Sequence, residues 1–241
     1  SGFVSTVQVR TGAGVRRNPL RQSTPEAPDI QGLLAQMVDS GRRYAVLEAT
    51  SHGLSKRTAR LADVCFRVAA CTNITHEHLE FHGSFAQYRS DKANLFRALG
   101  RNAPSREGAP FGVVNLADPS HGYLRAQSAA PVLGYLCGEP AGPTGADLVA
   151  ADLVAEQVEA DLSGSRFTLY RGKERASARL SLPGRYNVEN LLAAALTVLR
   201  LTGAPLARLC ALLPSLKGVP GRMQPVEAGQ PFRVIVDSTF P

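Results

Sequence analysis

In DIQGLLAQMVDSG the apolar residues Ile30, Leu33, Leu34, Met37 and Val38 recur at helical spacing, and after Gly41 comes the short unbroken apolar run YAVLE. The first pattern has the 3.6-residue period of an amphipathic helix and the second the length of a buried strand, which predicts an αβ unit with Gly41 at the helix end. Further strands are predicted at VCFRVAACTN, FGVVNLAD and VLGYLC, with a helical stretch, SFAQYRSDKANLFRALG, between the first two of these. Strands alternating with helices imply the α/β class, with a mostly parallel central sheet flanked by helices. Residues 147–182 read as successive short strands joined by a Ser-Gly turn, hence a small antiparallel sheet. The Ala- and Leu-rich NVENLLAAALTVLRLTG then predicts a helix ending at Gly203, and PLARLCALLPSL a shorter one ending near Pro214. GVPGRMQPVEAGQ reads as a Pro- and Gly-rich junction before a buried strand in FRVIVD. A buried strand with nothing after it is an incomplete unit, so the expected domains are 1–221 and, from 222 to 241, the opening of a second α/β domain.

Composition narrows the class. The chain has 241 residues, 44% hydrophobic and 20% charged, enough to bury a sizeable core. It has no apolar run of 18 residues, and its first residues lack the charged-then-apolar order of a signal peptide, so a cytoplasmic protein without membrane insertion is expected. Four cysteines without close CxxC spacing read as reduced core thiols. The net charge of +7 favours polyanionic ligands, a nucleotide or nucleotide-sugar among them. Nucleic acid fits less well, because the arginines are scattered singly, without aromatic interleaving or a recognition-helix pattern.

The densest polar cluster is TNITHEHLEFHGSF, where His76, Glu77, His78, Glu80 and His82 follow a predicted strand. Glu48 and the Ala-Thr-Ser-His after it close another. In open α/β sheets ligands bind beyond the carboxyl ends of strands, so the two loops could face one site. Two other readings stand beside this one. The loop could simply cap the next helix, or its histidines could hold zinc for a hydrolase, although no third carboxylate is defined.

The runs EATSHGL, CTNITHEHLEFHGSF and YRSDKANLF, in that order, resemble the motifs of the Mur ligase family, nearest its muramoyl-tripeptide synthetase branch. The resemblance extends to QSTPEAPDIQ upstream and to LPGRYNVENLLAA and GRMQ downstream, nearly the whole chain. It implies that Glu48 and His78 hold a Mg²⁺ ion between the ATP phosphates and the acceptor carboxylate, and that Lys92 is carbamylated to supply an anionic oxygen for a second metal. Magnesium's preference for hard oxygen ligands completed by substrate suits the carboxylates, and a histidine ligand is compatible though unusual. For carbamylation the Lys92 amine must be neutral, which needs burial or nearby cations. The resemblance also implies that Ser23, Thr24, Thr50 and Ser51 touch the nucleotide-sugar and that Arg60 grips the acceptor. The Arg60 assignment allows two extra residues in SKRTAR; without them Thr58 takes its place. Asn187 and Asn190 fall near the adenine, with helix capping as their other reading. Arg222 and Asp237 fall at ATP-contacting positions, while Asn115 and Asp118 are read as structural.

The sequence also departs from the family. It contains no GxxxxGK(S/T) loop, which family members carry shortly before the point where this chain begins. Asp237-Ser238-Thr239-Phe240-Pro241 lacks the family histidine, and Glu77 replaces an aspartate. The implied activity is ATP-dependent formation of an amide through an acyl phosphate, adding an amino acid to UDP-N-acetylmuramoyl-L-alanyl-D-glutamate in peptidoglycan precursor synthesis. ATP and Mg²⁺ are the expected cofactors and a monomer the expected state, with the chain as given a fragment that lacks turnover alone. The alternative is a non-catalytic nucleotide-sugar binding module, a pseudo-ligase that keeps the fold.

Overall fold

The computed structural model describes residues 1–20, 22–75, 79–101, 108–138, 151–226 and 228–237. In chain order the elements begin with strands β1 (Gly2–Val4), β2 (Gln8–Arg10) and β3 (Arg16–Arg17), helix α1 (Ala27–Asp39), strand β4 (Ala45–Leu47) and helix α2 (Ser51–Leu54). Then come β5 (Val68–Cys71), α3 (Leu79–His82), α4 (Phe85–Arg97), β6 (Phe111–Asn115), α5 (His121–Gln127) and β7 (Val132–Cys137). The last are β8 (Leu153–Asp161), β9 (Gly164–Arg171), β10 (Glu174–Leu180), α6 (Arg185–Thr202), α7 (Leu206–Leu212), β11 (Gln224–Val226) and β12 (Val234–Val236). They group into two compact units. One comprises Ser1–Ala69, Ile74–Gly112 and Gly122–Val132, the other Ala70–Asn73, Val113–His121 and Leu133–Pro241.

The first unit contains a four-stranded sheet in the order β3-β2-β1-β4. The predicted helical stripe of α1 supplies Leu33 and Met37, which pack with Val4 and Val9 into a small core flanked by Leu34 and Leu47. Strands β1 and β4 run parallel, with Val4 opposite Leu47, so the residues just after each strand emerge side by side. Helix α4 begins at Ser84, whose side chain accepts from the Gln87 N–H. It buries Tyr88, Ala93, Leu95 and Phe96, and Asn94 Nδ2 donates to Leu54 O at 2.9 Å, tying α4 to the end of α2.

In the second unit the sheet has the order β10-β9-β8-β7-β6-β5. Gly112 N donates to Pro131 O and Leu116 N to Tyr135 O, an equal advance along both chains that makes β6 and β7 parallel. The α/β class and the mostly parallel arrangement agree with the sequence pattern. The antiparallel strands read in 147–182 are β8, β9 and β10, but they are not a sheet apart: β8 pairs in parallel with β7, and its first residues, Leu153 to Ala155, are buried. Helix α6 buries Val188, Leu191, Leu192, Ala195, Leu196 and Leu199, a stripe at three- and four-residue spacing that packs on β8. It stops where Gly203 enters the left-handed region at φ 65°, and Gly203 N bonds to Leu199 O.

Four expectations need correction. The run YAVLE forms β4, but Ala45 and Val46 are exposed and Leu47 is half-buried, because β4 lies at the edge of its sheet among the described residues. The strand in FRVIVD is β12, but Val234, Ile235 and Val236 are exposed, because β12 pairs only with β11 in a two-stranded ribbon that no layer covers among the described residues. The junction GVPGRMQPVEAGQ contains β11; its Pro225 argues against a central strand but is tolerated in such a ribbon. All four cysteines are free, yet only Cys210 is buried, Cys65 being exposed and Cys71 and Cys137 half-buried.

Tyr135 is fully buried, its hydroxyl has no partner among the described residues, and burial pushes its pKa up. Because a buried unpaired hydroxyl costs free energy, Tyr135→Phe should leave stability unchanged or raise it by about 1 kcal/mol. Urea denaturation measures this, and a loss of more than about 1 kcal/mol would show that the hydroxyl is bonded.

Candidate functional site

Parallel pairing of β1 with β4 delivers Thr6 and Glu48 to one spot beyond the strand ends. The Glu48 carboxylate is held there by two neutral donors, Thr6 N at 2.7 Å and Thr6 Oγ1 at 2.9 Å from each oxygen. Ser23 Oγ lies 2.5 Å from Thr6 Oγ1. Thr6 has one proton, given to the carboxylate, so Ser23 is the donor in that pair.

A second set of bonds runs through Thr24, which is 2% exposed. Its hydroxyl donates to Glu48 O at 2.8 Å and accepts from Thr50 N at 2.9 Å and Thr50 Oγ1 at 3.0 Å. Thr50 in turn caps α2, accepting from Gly53 N at 3.1 Å. Gly53 is glycine for a steric reason, since a Cβ there would collide with the Thr24 methyl group. Arg60 Nη1 donates to Thr24 O at 2.9 Å, and Nη2 pairs with Glu26 Oε1 at 2.5 Å. Of the two candidates for the acceptor-gripping position, Arg60 thus stands beside Thr24. Thr58 instead turns its hydroxyl to His52 O and Ser55 O, closing the turn after α2.

The structure therefore brings together Ser23, Thr24, Glu48, Thr50 and Arg60. It adds Thr6, which sequence reading did not single out and whose only signal was a pair of small polar residues after an apolar run, and Gly53, legible in sequence only as a turn glycine. Ser51, also expected at the substrate, is 3% exposed at the start of α2. Lys92, on α4, is half-buried with its Nζ 5.3 Å from the Tyr88 ring centre, and has no ion pair among the described residues. His78, the expected metal ligand, lies outside the described residues with His76 and Glu77. Among the described residues no group of three or more His, Cys, Asp and Glu side chains is arranged to hold a metal ion.

The remaining candidates belong to the second unit. Asn187 and Asn190 sit three residues apart on α6. Capping does not explain Asn187: the N-cap is Gly184, and Asn187 Nδ2 reaches back to Pro183 O at 2.7 Å. Asn190 is exposed. In the β11–β12 ribbon, Arg222 N bonds to Val219 O, and Asp237 Oδ1 accepts from Met223 N at 3.2 Å. At the end of β7, Arg185 Nη2 donates to Cys137 O at 2.7 Å. Burial pushes the Cys137 thiol up to about 11, against the opposing pull of the Arg185 charge.

Two outcomes follow from this geometry. Thr24→Val keeps the side-chain shape but strands Thr50 N and Glu48 O without their partner, and should cost about 2–3 kcal/mol in denaturant unfolding, whereas Thr24→Ser should cost about 1. With the other three cysteines replaced by serine, iodoacetamide should alkylate Cys137 at a rate that climbs through a pH of about 11, above an ordinary thiol's 9.0. Removing the attracting charge by Arg185→Gln should move that rise still higher; a rise near pH 9.0 would contradict the assigned burial.

Comparison with known proteins bears on the whole chain. The Mur ligase middle domain matches residues 1–198. The UDP-N-acetylmuramyl-tripeptide synthetase of Treponema denticola is 44% identical over 243 residues, covering 98% of this chain and 44% of that protein. The UDP-N-acetylmuramoyl-L-alanyl-D-glutamate--2,6-diaminopimelate ligase of Geobacillus kaustophilus is 34% identical, covering 98% and 45%. This chain therefore spans about half the length of the curated relatives it matches. A solved UDP-N-acetylmuramoyl-L-alanyl-D-glutamate--2,6-diaminopimelate ligase superposes with a TM-score of 0.73 at 27% identity, covering 94% of this chain and 42% of that one. With the middle-domain pattern over residues 1–198, and the paired strand ends that gather Thr6, Thr24 and Glu48, the chain belongs to the Mur ligase family.

Proposed function

We propose that the protein carrying this chain is an ATP-dependent ligase that adds an amino acid to UDP-N-acetylmuramoyl-L-alanyl-D-glutamate, with residues 222–241 opening a further domain. The observation that carries this reading is the state of Glu48: its carboxylate is immobilised by Thr6 at the end of β4, and no cation pairs with it among the described residues. A fixed carboxylate without a counter-charge is a hard oxygen donor suited to Mg²⁺. When bound, the ion would neutralise charge building up on phosphate oxygens. Glu48 would hold it together with His78, and a carbamylated Lys92 would supply an oxygen to a second metal.

In the proposed reaction the acceptor carboxylate oxygen bonds to the γ-phosphorus as the bond from that phosphorus to the bridging oxygen breaks, releasing ADP. The amine of the amino acid then bonds to the acyl carbon, phosphate leaves and the amine proton is lost. Positioning and charge neutralisation dominate such catalysis. In this reading Ser23, Thr50, Ser51 and Arg60 serve the nucleotide-sugar acceptor, while Thr24, whose bonds are all internal, acts by holding Thr50 and Glu48. The Glu26 carboxylate paired with Arg60 is exposed, and an acceptor carboxylate would take its place on the guanidinium. Asn187, Asn190, Arg222 and Asp237 serve the nucleotide.

The test uses the complete polypeptide encoded by the gene. ADP release should require both the UDP-linked dipeptide and an amino acid, and Glu48→Gln or Lys92→Met should lower kcat by about 10² or more. Tight binding of the UDP-linked dipeptide without ADP release, for every amino acid offered, would overturn the proposal in favour of a non-catalytic binding module.

A further inference from the structure

In the first unit a cavity of about 420 Å³, lined by none of the residues of the Glu48 cluster, is walled by Ser55, Lys56, Arg57, Phe81, His82 and one face of α4. Gln87, Ser90, Asp91, Asn94 and Arg97 supply that face at three- and four-residue spacing, and Lys92 projects from a different one.

The wall's acceptors are already used. Asp91 is its only carboxylate among the described residues; Oδ2 accepts from His82 Nδ1 at 2.8 Å and Oδ1 from Gln87 Nε2 at 3.1 Å. Asn94 Oδ1 and Ser90 O both accept from Arg97 Nη1. The positive charges, in contrast, have no anionic partner among the described residues. Arg97 directs its N–H groups to Ser90 O, Asn94 Oδ1, Tyr123 Oη and Gln127 Oε1, all neutral, and forms no ion pair among the described residues. Arg57 lies over the Phe81 ring at 4.5 Å and spends one N–H on Phe81 O, leaving the rest of its fork uncommitted, while Lys56 is exposed with no ion pair among the described residues. Three cations thus face one carboxylate whose two oxygens are taken.

His82 decides the ligand class. Its side chain is fully buried, and Nε2 is the buried polar atom of this wall that has no partner among the described residues. With Nδ1–H directed at Asp91, a neutral ring offers a lone pair at Nε2 and a protonated ring offers an N–H. A phosphate group carries both hydroxyl and anionic oxygens near neutral pH and matches either state, and its charge answers more than one cation. A carboxylate meets only the second state. We propose that this cavity is a binding site for a phosphate group, separate from the Glu48 cluster and independent of the proposed ligase reaction.

Inorganic phosphate is the probe, titrated calorimetrically into the chain at constant ionic strength. The expected result is one saturable site with a Kd of about 1 mM or tighter. Binding should weaken about tenfold or more in a Lys56→Gln/Arg57→Gln double variant, both positions being exposed, and stay unchanged in Glu48→Gln. Glutarate at the same concentration should not compete. A second readout does not depend on the variants: phosphate should protect Arg57 from phenylglyoxal, followed by peptide mass mapping. Absent saturation, equal affinity in the double variant, preference for glutarate, or unprotected Arg57 would each overturn the assignment.

Discussion

Everything at the Glu48 cluster depends on two three-residue strands lying parallel in one register. The pairing of Val4 with Leu47 sets Thr6 beside Glu48, and a slip of one residue would turn the side chains to the opposite face and separate the pair. What holds the register is the small core above it: Val4 and Val9 from the sheet, Leu33 and Met37 from α1. Gly2 contributes by having no side chain, since a Cβ there would occupy the space of the Met37 thioether. A modest apolar contact thus fixes the geometry of a polar site several residues away.

Polar groups in the first unit are distributed unevenly between its two sites. At the strand ends a carboxylate is held by neutral donors and along α4 a guanidinium by neutral acceptors, and among the described residues neither has a partner of opposite charge. Glu48 is exposed and Arg97 half-buried, so both charges remain within reach of water and of a bound ion. Keeping the two apart leaves each with a preference for an external partner, a cation in one place and an anion in the other.

Long apolar patterns made most of the fold legible. The stripes of α1, α4 and α6 and the runs of β6 and β7 carry their pattern over enough residues to be read directly, and capping residues such as Ser84 and Gly203 mark the ends. The three-residue strands β1 and β2 hold too few residues for a period, and β11 carries a proline. Of the site, Glu48, Thr50 and Arg60 were found through motif resemblance, which supplies order but not bonding. Thr6 and Gly53 escaped because their importance lies in contacts across 42 and 29 positions of sequence, with Glu48 and Thr24. The bonds by which Thr24 ties Glu48 to Thr50 became visible only in three dimensions.

The direction of those bonds has a chemical consequence. Each hydroxyl proton in the cluster is spent inward: Ser23 on Thr6, Thr6 on Glu48, Thr50 on Thr24, Thr24 on the Glu48 carbonyl. What Ser23 and Thr50 still present outward is lone pairs. The cluster is therefore polarised like a small electrode, negative on its open side, and it discriminates against bare phosphate oxygens while welcoming amide N–H groups, sugar hydroxyl protons and metal ions. Ser23 and Thr50, side chains usually classed as interchangeable donors and acceptors, have by the order of these bonds alone been made into acceptors.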